Sequence, residues 1–283
     1  MSIDLDLLMK AYASGIFPMA DARDDPDTFW VEPKARAVIP LDNFQMSRSL
    51  RKTIRSDRFR VTADAAFADV IDICATQAAD RKETWINAEI EEAFNQLHQL
   101  GYAHSVECWQ ADEATGEDRL VGGLYGLAIG GAFCGESMFS RTRDASKVAL
   151  AWLVARLKVG EFELLDCQFM TEHLGSLGAV EISQDDYVEA LKKVRGYAPS
   201  SVVSAIRSPI GSAGALFAGG VGLGAAGAVA AGAAASGAVS FGALDELLAR
   251  LDEDLRGAVG STASPGVSSS PGKLIAQLLT QTS

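Results

Sequence analysis

Apolar residues fall at helical spacing in "DAAFADVIDICATQA", from Phe67 to Ala75, and again in "NAEIEEAFNQLHQLG". Asn87 is placed to cap the second helix, acids fill its first turn, and Gly101 closes it. Ahead of these, "FRVTAD" reads as a strand that follows the basic segment "SLRKTIR". After Gly101 the period shortens to that of strands. "AHSVECWQ" alternates, "EATGED" is turn-like, and "LVGGLYGLAIGGAFCGESMF" reads as two strands joined near Gly130 and Gly131. Asp144 or Ser146 then starts a helix with Val148, Trp152, Leu153 and Leu157 on one face. "FELLDCQF" has the continuous apolar character of a well-buried strand, and "TEHLGSLGAVEIS" predicts a helix and a turn into one more strand.

The pattern breaks near Tyr197. Beyond it the text turns to Ala, Gly and Ser, and residues 208–244 hold no charge. Leu, Ile and Phe are too scarce there, and Gly too frequent, for a good membrane span, so the stretch is expected to be a flexible, largely disordered linker. "ALDELLARLDEDLRGAV" follows, with Leu244, Leu247, Leu248, Leu251 and Leu255 on one helical face, a docking or self-association helix over about 243–257. A second linker, "GSTASPGVSSSPG", leads to a short apolar helix over about 273–280.

The element order makes this an α+β chain. Antiparallel strands, helix, strand, helix is the succession of an acetyltransferase-like (GNAT-type) fold, an analogy that carries no statement about chemistry. The expected division is a small N-terminal α/β domain over 1–62, a GNAT-like catalytic domain over 63–197, and the low-complexity tail over 198–283.

Charge adds a local contrast. The chain of 283 residues carries a formal charge of −12, which argues against indiscriminate nucleic-acid binding. Yet between Val31 and Arg60 eight basic residues (Lys34, Arg36, Arg48, Arg51, Lys52, Arg55, Arg58, Arg60) face three acids. That strip is either a solvated surface or a phosphate-contacting face. The four cysteines, at 74, 108, 134 and 167, lie too far apart for a zinc knuckle or a redox dithiol, and read as buried free thiols of a reducing cytoplasm. The start, "MSIDLDLLMK", has acids where a secretion signal needs bases.

One residue stands out against the hydrophobic pattern. "AFCGESMFSR" reads mostly as a buried strand, yet Glu136 sits in its middle, and an ionised carboxylate out of water must be partnered or take up a proton. It is either a satisfied structural acid or a working group. In "LLDCQ", strand alternation sends Asp166 and Gln168 to one face and turns Cys167 away. Read alone, that pair either caps the neighbouring loop or serves one reacting group.

The blocks "AYASGIFPM", "RAVIPL", "SRSLRKTIR", "TWI", "GYAHSVE", "LVGGLYG", "FCGESMFSR", "ASKVAL", "LLDCQ" and "HLGSLGA" follow one another from about Leu7 to Tyr187. In this collinear order the chain resembles the leucyl/phenylalanyl-tRNA–protein transferase family; the tail lies outside the resemblance. The resemblance implies transfer of Leu, Phe or sometimes Met from charged tRNA to the α-amino group of proteins that begin with Arg or Lys, which marks them for degradation. No cofactor and no metal are implied, and a cytoplasmic monomer without membrane attachment is expected. The pyrophosphate loop of a coenzyme A enzyme is missing between Phe139 and Ala145.

Residue by residue, the resemblance implies Asp166, Gln168 and Glu136 as catalytic. Leu124, Leu153, Leu157 and Leu165 would line the cavity for the transferred side chain. Trp85 would stack on the terminal adenosine. Met19 stands where some members have tryptophan, which makes the aromatic platform one-sided. Arg48, Arg51, Lys52 and Arg55 are the candidates for acceptor-stem phosphates. None of His98, His104 and His173 is assigned catalysis, and Ser137 and Ser140 have no His–Asp neighbours in sequence that would support an acyl-enzyme. Two other readings compete, a coenzyme A-dependent N-acyltransferase and a non-catalytic tRNA or degradation-signal binding protein.

Overall fold

A seven-stranded sheet in the order β4-β5-β6-β7-β8-β3-β9 organises the body of the protein. The structure is a computed structural model that describes residues 2–76, 84–112, 114–196, 239–258 and 270–280. The expected linker beginning at Ala198 lies outside the described residues as far as residue 238, and the second, "GSTASPGVSSSPG", as far as residue 269; its last two residues, Pro271 and Gly272, open a helix instead.

The chain begins with α1 (Leu5–Ala13), capped by Asp4, and continues into β1 (Phe17–Met19) and β2 (Phe29–Val31), which form a separate two-stranded hairpin. β3 (Ala35–Ile39) then enters the main sheet between β8 (Leu164–Asp166) and β9 (Val180–Ser183), antiparallel to both. The sheet therefore draws a strand from residues 1–62. A 3₁₀ turn at Leu41–Asn43 and α2 (Arg48–Arg55) lead to the edge strand β4 (Arg60–Ala63). Two helices, α3 (Phe67–Ala75) and α4 (Ala88–Gln99), follow; the Asn87 side chain accepts from the Ile90 N–H, as its position predicts.

The central antiparallel meander is β5 (Ala103–Ala111), β6 (Asp118–Ile129) and β7 (Ala132–Ser140), with the β6–β7 turn at Gly130–Gly131 where the sequence predicts it. Close approach needs glycine on β6. A Cβ at Gly126 would lie 2.3 Å from the Cys134 carbonyl oxygen, and one at Gly122 would lie 2.5 Å from the Ala145 Cβ. β7 runs parallel to β8 for three residues only, Ala132 to Cys134 against Leu164 to Asp166. Past that point the chain after β8 bonds to β3 instead, through the Cys167 N–H to the Ala37 carbonyl at 2.8 Å and the Ala37 N–H to the Gln168 carbonyl at 3.0 Å. The two strands thus part company, and a gap opens between them.

The helix α5 (Ala145–Val159) differs from its expectation. The sequence suggests one apolar face, but Ala145 and every residue from Val148 to Leu157 are buried, Arg156 among them. A helix without a polar face has to be covered on all sides. Part of that cover is α8 (Ala243–Ala258), the helix expected after the linker, and α9 (Pro271–Leu278) packs nearby against α2. Leu244 is fully buried and Leu247 and Leu248 pack against the same core; the Leu255 side chain lies outside the described residues. α6 (Glu172–Gly175) and α7 (Gln184–Lys193) complete the chain's elements. No helix among the described residues is long and apolar enough to cross a membrane.

Candidate active site

The gap between β7 and β8 holds a cavity of about 320 Å³. Its lower walls are apolar, built by Leu124 of β6, Met138 of β7, Leu150 and Leu153 of α5, and Leu165 of β8. Phe17, Met19, Trp85, Phe169 and His173 complete the lining, with the Phe17 and Phe169 rings edge to face at 5.7 Å. Glu136 and Gln168 are also in its lining. Hydrophobic walls with a few convergent polar groups are the ordinary composition of a small-ligand site.

Glu136 and Gln168 meet across the gap: the Gln168 Nε2 donates to Glu136 Oε1 at 3.1 Å. That contact fixes the amide, because with Nε2 committed the Oε1 is the end left for a ligand. Gln168 takes a left-handed backbone conformation, with φ of 55°, and its N–H donates to Asp166 Oδ1 at 2.9 Å. Such a conformation is costly for a side-chain residue and persists only where its surroundings hold it. Asp166 supplies that hold.

The expected alternation along "DCQ" fails for the same reason. The strand ends at Asp166, so its period does not extend to Gln168. Cys167 and Gln168 both line the cavity, while Asp166 lies beneath it, fully buried. Burial, and after it the Asp166 charge, push the Cys167 thiol up, so it stays protonated at neutral pH.

Asp166 is saturated. Arg36 Nε donates to its Oδ1 at 3.1 Å, Arg36 Nη2 pairs with its Oδ2, and the Tyr187 hydroxyl donates to Oδ2 at 3.0 Å. Arg36 is itself fully buried and lies with its guanidinium 5.0 Å from the Phe17 ring centroid and 4.3 Å from that of Tyr187. Its Nη1 donates to the Gly15 carbonyl at 3.0 Å. Burial disfavours the charge on Arg36, yet Asp166 more than offsets this and holds its pKa above the ordinary value. Sequence counting placed Arg36 in an exposed basic strip; here it is the anchor of the cavity floor. Arg60 leaves that strip too, since its Nε pairs with Asp118 at 2.7 Å.

Glu136 has no such partner. It is partly exposed to the cavity but enclosed by protein, and desolvation pushes its pKa up to about 8. The buried Tyr12 hydroxyl faces it without a well-aligned hydrogen bond and works in the opposite direction, while Asp166 adds repulsion. At neutral pH the carboxyl is mainly protonated. The site can therefore offer a neutral acid that donates through O–H and an amide oxygen that accepts, side by side. His173, expected to be structural, is a wall residue whose buried Nε2 has no hydrogen-bond partner among the described residues; burial and the nearby Lys147 lower its pKa, so it is neutral.

Of the expected cavity leucines, Leu124, Leu153 and Leu165 are in the wall, and Leu157 is not. It sits one turn further along α5, fully buried in the core behind. Leu150, which sequence reading passed over, takes a wall position three residues before Leu153; helical spacing on α5 is the signal that finds it. Trp85 and Met19 are brought together by the Ala20 N–H, which donates to the Trp85 carbonyl at 3.0 Å. Arg48, Arg51, Lys52 and Arg55 are exposed on α2 around its buried Leu50 and Ile54, and none of the four forms an ion pair with a described residue. No group of three or more potential metal-ligating side chains occurs among the described residues.

Comparison with known proteins bears on what this cavity serves. The family model described as leucyl/phenylalanyl-tRNA protein transferase matches residues 38–192, and the model of that family's N-terminal domain matches residues 1–34. A leucyl/phenylalanyl-tRNA–protein transferase of Rhizorhabdus wittichii is 61% identical over 195 residues, 69% of this chain and 76% of that protein. One of Novosphingobium aromaticivorans is 50% identical over 283 residues, 100% of this chain and 97% of that protein. Among solved structures, FemX aligns at 9% identity with a TM-score of 0.45, covering 70% of this chain and 69% of that one.

Proposed function

The chain belongs to the leucyl/phenylalanyl-tRNA–protein transferase family, a family of aminoacyltransferases, and from that premise we propose that it transfers Leu, Phe or Met from aminoacyl-tRNA to proteins that begin with Arg or Lys. The acceptor is their α-amino group, and the product carries a signal for degradation. The observation that carries this reading is an apolar cavity with a paired amide and acid at its polar rim.

The chemistry asks for little. The neutral α-amine attacks the ester carbon, a C–N bond forms, the C–O bond to the tRNA 3′ adenosine breaks, and one amine proton ends on the released ribose oxygen. The ester is already activated, so positioning and charge stabilisation carry the rate. In this scheme the apolar wall of Leu124, Leu150, Leu153 and Leu165 receives the side chain being transferred. Large apolar groups gain by that burial, and the modest cost of a methylene, about 1–3 kcal/mol, fits acceptance of several of them. Gln168 Oε1 accepts a hydrogen bond from the attacking amine and turns its lone pair toward the ester. Glu136, protonated, donates to the ester oxygen as charge develops; ionised, it attracts a cationic acceptor.

Asp166 enters as a positioning residue, because its saturation by Arg36, Tyr187 and the Gln168 N–H leaves it no role as proton acceptor. Trp85 supports the terminal adenine by stacking, with Met19 as the softer side of the platform. Exposed, and without an ion-pair partner among the described residues, the four cations of α2 suit acceptor-stem phosphates. The antiparallel meander, the parallel β7–β8 pair and the gap between them support an acetyltransferase-like reading of the catalytic portion, with residues 1–62 as the smaller N-terminal unit. In this reading the protein acts as a monomer in the cytoplasm, where charged tRNA is made.

The test is transfer of labelled leucine from leucyl-tRNA to a peptide starting with Arg. Incorporation with Arg or Lys first, and none with Ala first, supports the proposal; binding of charged tRNA without transfer would overturn it.

A further inference from the structure

The C-terminal segments lie outside the residues matched by the family models, yet they are built into the core. Four sets of contacts tie them down. The Ser240 N–H donates to the Gly160 carbonyl at 3.1 Å at the end of α5, and a Cβ on Gly160 would lie 2.2 Å from the Ser240 oxygen. Arg156, only 3% exposed, donates Nη1 to the Phe241 carbonyl at 2.8 Å and both Nη1 and Nη2 to the Asp245 carboxylate at 2.6 and 2.7 Å. The Phe241 ring stacks on His104 at 4.1 Å and on Phe133 at 5.6 Å. At the other end, the Gly272 N–H donates to Asp57 Oδ1 at 2.7 Å, and a Cβ there would lie 2.0 Å from the Ile54 carbonyl oxygen.

These are not the marks of an arm awaiting a partner. A buried arginine is tolerated only if paired and hydrogen-bonded, and here every group that pairs it comes from the tail. The fork-to-fork pairing with Asp245 also fixes direction as well as distance. Two glycines leave room for the tail backbone where any side chain would collide. The elements gripped are the two that the proposed function needs most. α5 supplies Leu150 and Leu153 to the cavity wall and carries Arg156 one turn beyond. α2 carries the four exposed cations, while its buried Leu50 and Ile54 share a core with Ile275 and Ala276 of α9.

We infer that residues 239–258 and 270–280 form an intramolecular brace, in which Phe241 and Asp245 clamp Arg156 and so position α5 and α2 for substrate. The part of the α8 face formed by Leu244, Leu247 and Leu248 is occupied by the chain's own catalytic body. For its effect on substrate the inference rests on the transferase reading; for the binding itself it does not.

The experiment uses the full chain with a protease site placed between residues 198 and 238 and cut after purification. The C-terminal piece is expected to co-elute with the body. Combined Phe241→Ala and Asp245→Ala should release the piece and, in the uncut chain, raise KM for charged tRNA about tenfold with kcat little changed, whereas Asp245→Glu alone keeps it bound. Separation of the wild-type piece on cutting, or a double variant with unchanged melting and KM, overturns the brace. A wild-type chain that retains the piece but transfers no leucine overturns the transferase reading and leaves the brace standing.

Discussion

The floor and the mouth of the cavity each hold one carboxyl group, satisfied in opposite ways. Beneath the floor, Asp166 takes hydrogen bonds from Arg36, Tyr187 and the Gln168 backbone, with no exposure to water. At the mouth, Glu136 receives one amide N–H and pays for its enclosure with a raised pKa. The same functional group is thereby made rigid in one place and responsive in the other. Saturation suits a part that must not move, and incomplete partnering suits a part that answers to what enters.

The largest effect should come from breaking the floor. Asp166→Ala strands the buried Arg36 guanidinium, which should cost about 3–5 kcal/mol and lower the melting temperature by on the order of 10 °C, read by calorimetry. If this variant melts like the parent, the floor is not structural and Asp166 returns as a chemical group. Gln168→Ala tests the link between the two regions. Its single-turnover transfer rate should fall on the order of 10²-fold while melting barely moves.

Glu136→Gln sharpens the contrast at the mouth. A carboxyl whose folded pKa is raised contributes its full stability below the ordinary carboxylate range and loses it progressively as pH rises to about 8. Melting of the parent should therefore decline across that window and flatten above it, and the glutamine variant should lose that part of the slope. Its rate near pH 6 should stay close to the parent's, with the inflection near pH 8 absent. The smallest change is Leu153→Met in the wall, which should alter the ratio of Leu to Phe transfer by no more than about tenfold, read by competition between the two charged tRNAs.

Much of the fold was legible in the sequence because it rests on local signals. The Asn87 cap, the Gly130–Gly131 turn and the alternating strands beside it each depend on a few adjacent residues. The cavity lining was legible in part, with Leu157 misplaced and Leu150 missed, and its arrangement was not. Strand alternation could not foresee that β8 stops at Asp166, since the stop comes from a hydrogen bond to the next turn and from the ladder to β3, both non-local. Arg36 was counted with its exposed neighbours because charge tallies ignore face. It shares a strand face with the buried Val38, and that two-residue spacing was the available warning. The surrounded state of α5 was hidden in the same way: a run from Val148 to Leu157 with a single charge is more apolar than one covered face requires.

The parting of β7 from β8 after Cys134 and Asp166 has one more consequence. The hollow owes its width to diverging main chain rather than to small side chains, so it resembles a half-opened zip more than a drilled hole. Swapping teeth along the open part trims the space, but only lengthening or shortening the fastened part would resize it. Tuning by point substitution is therefore bounded, and a wholesale change of cargo would need residues inserted or deleted near Gly135 and Cys167.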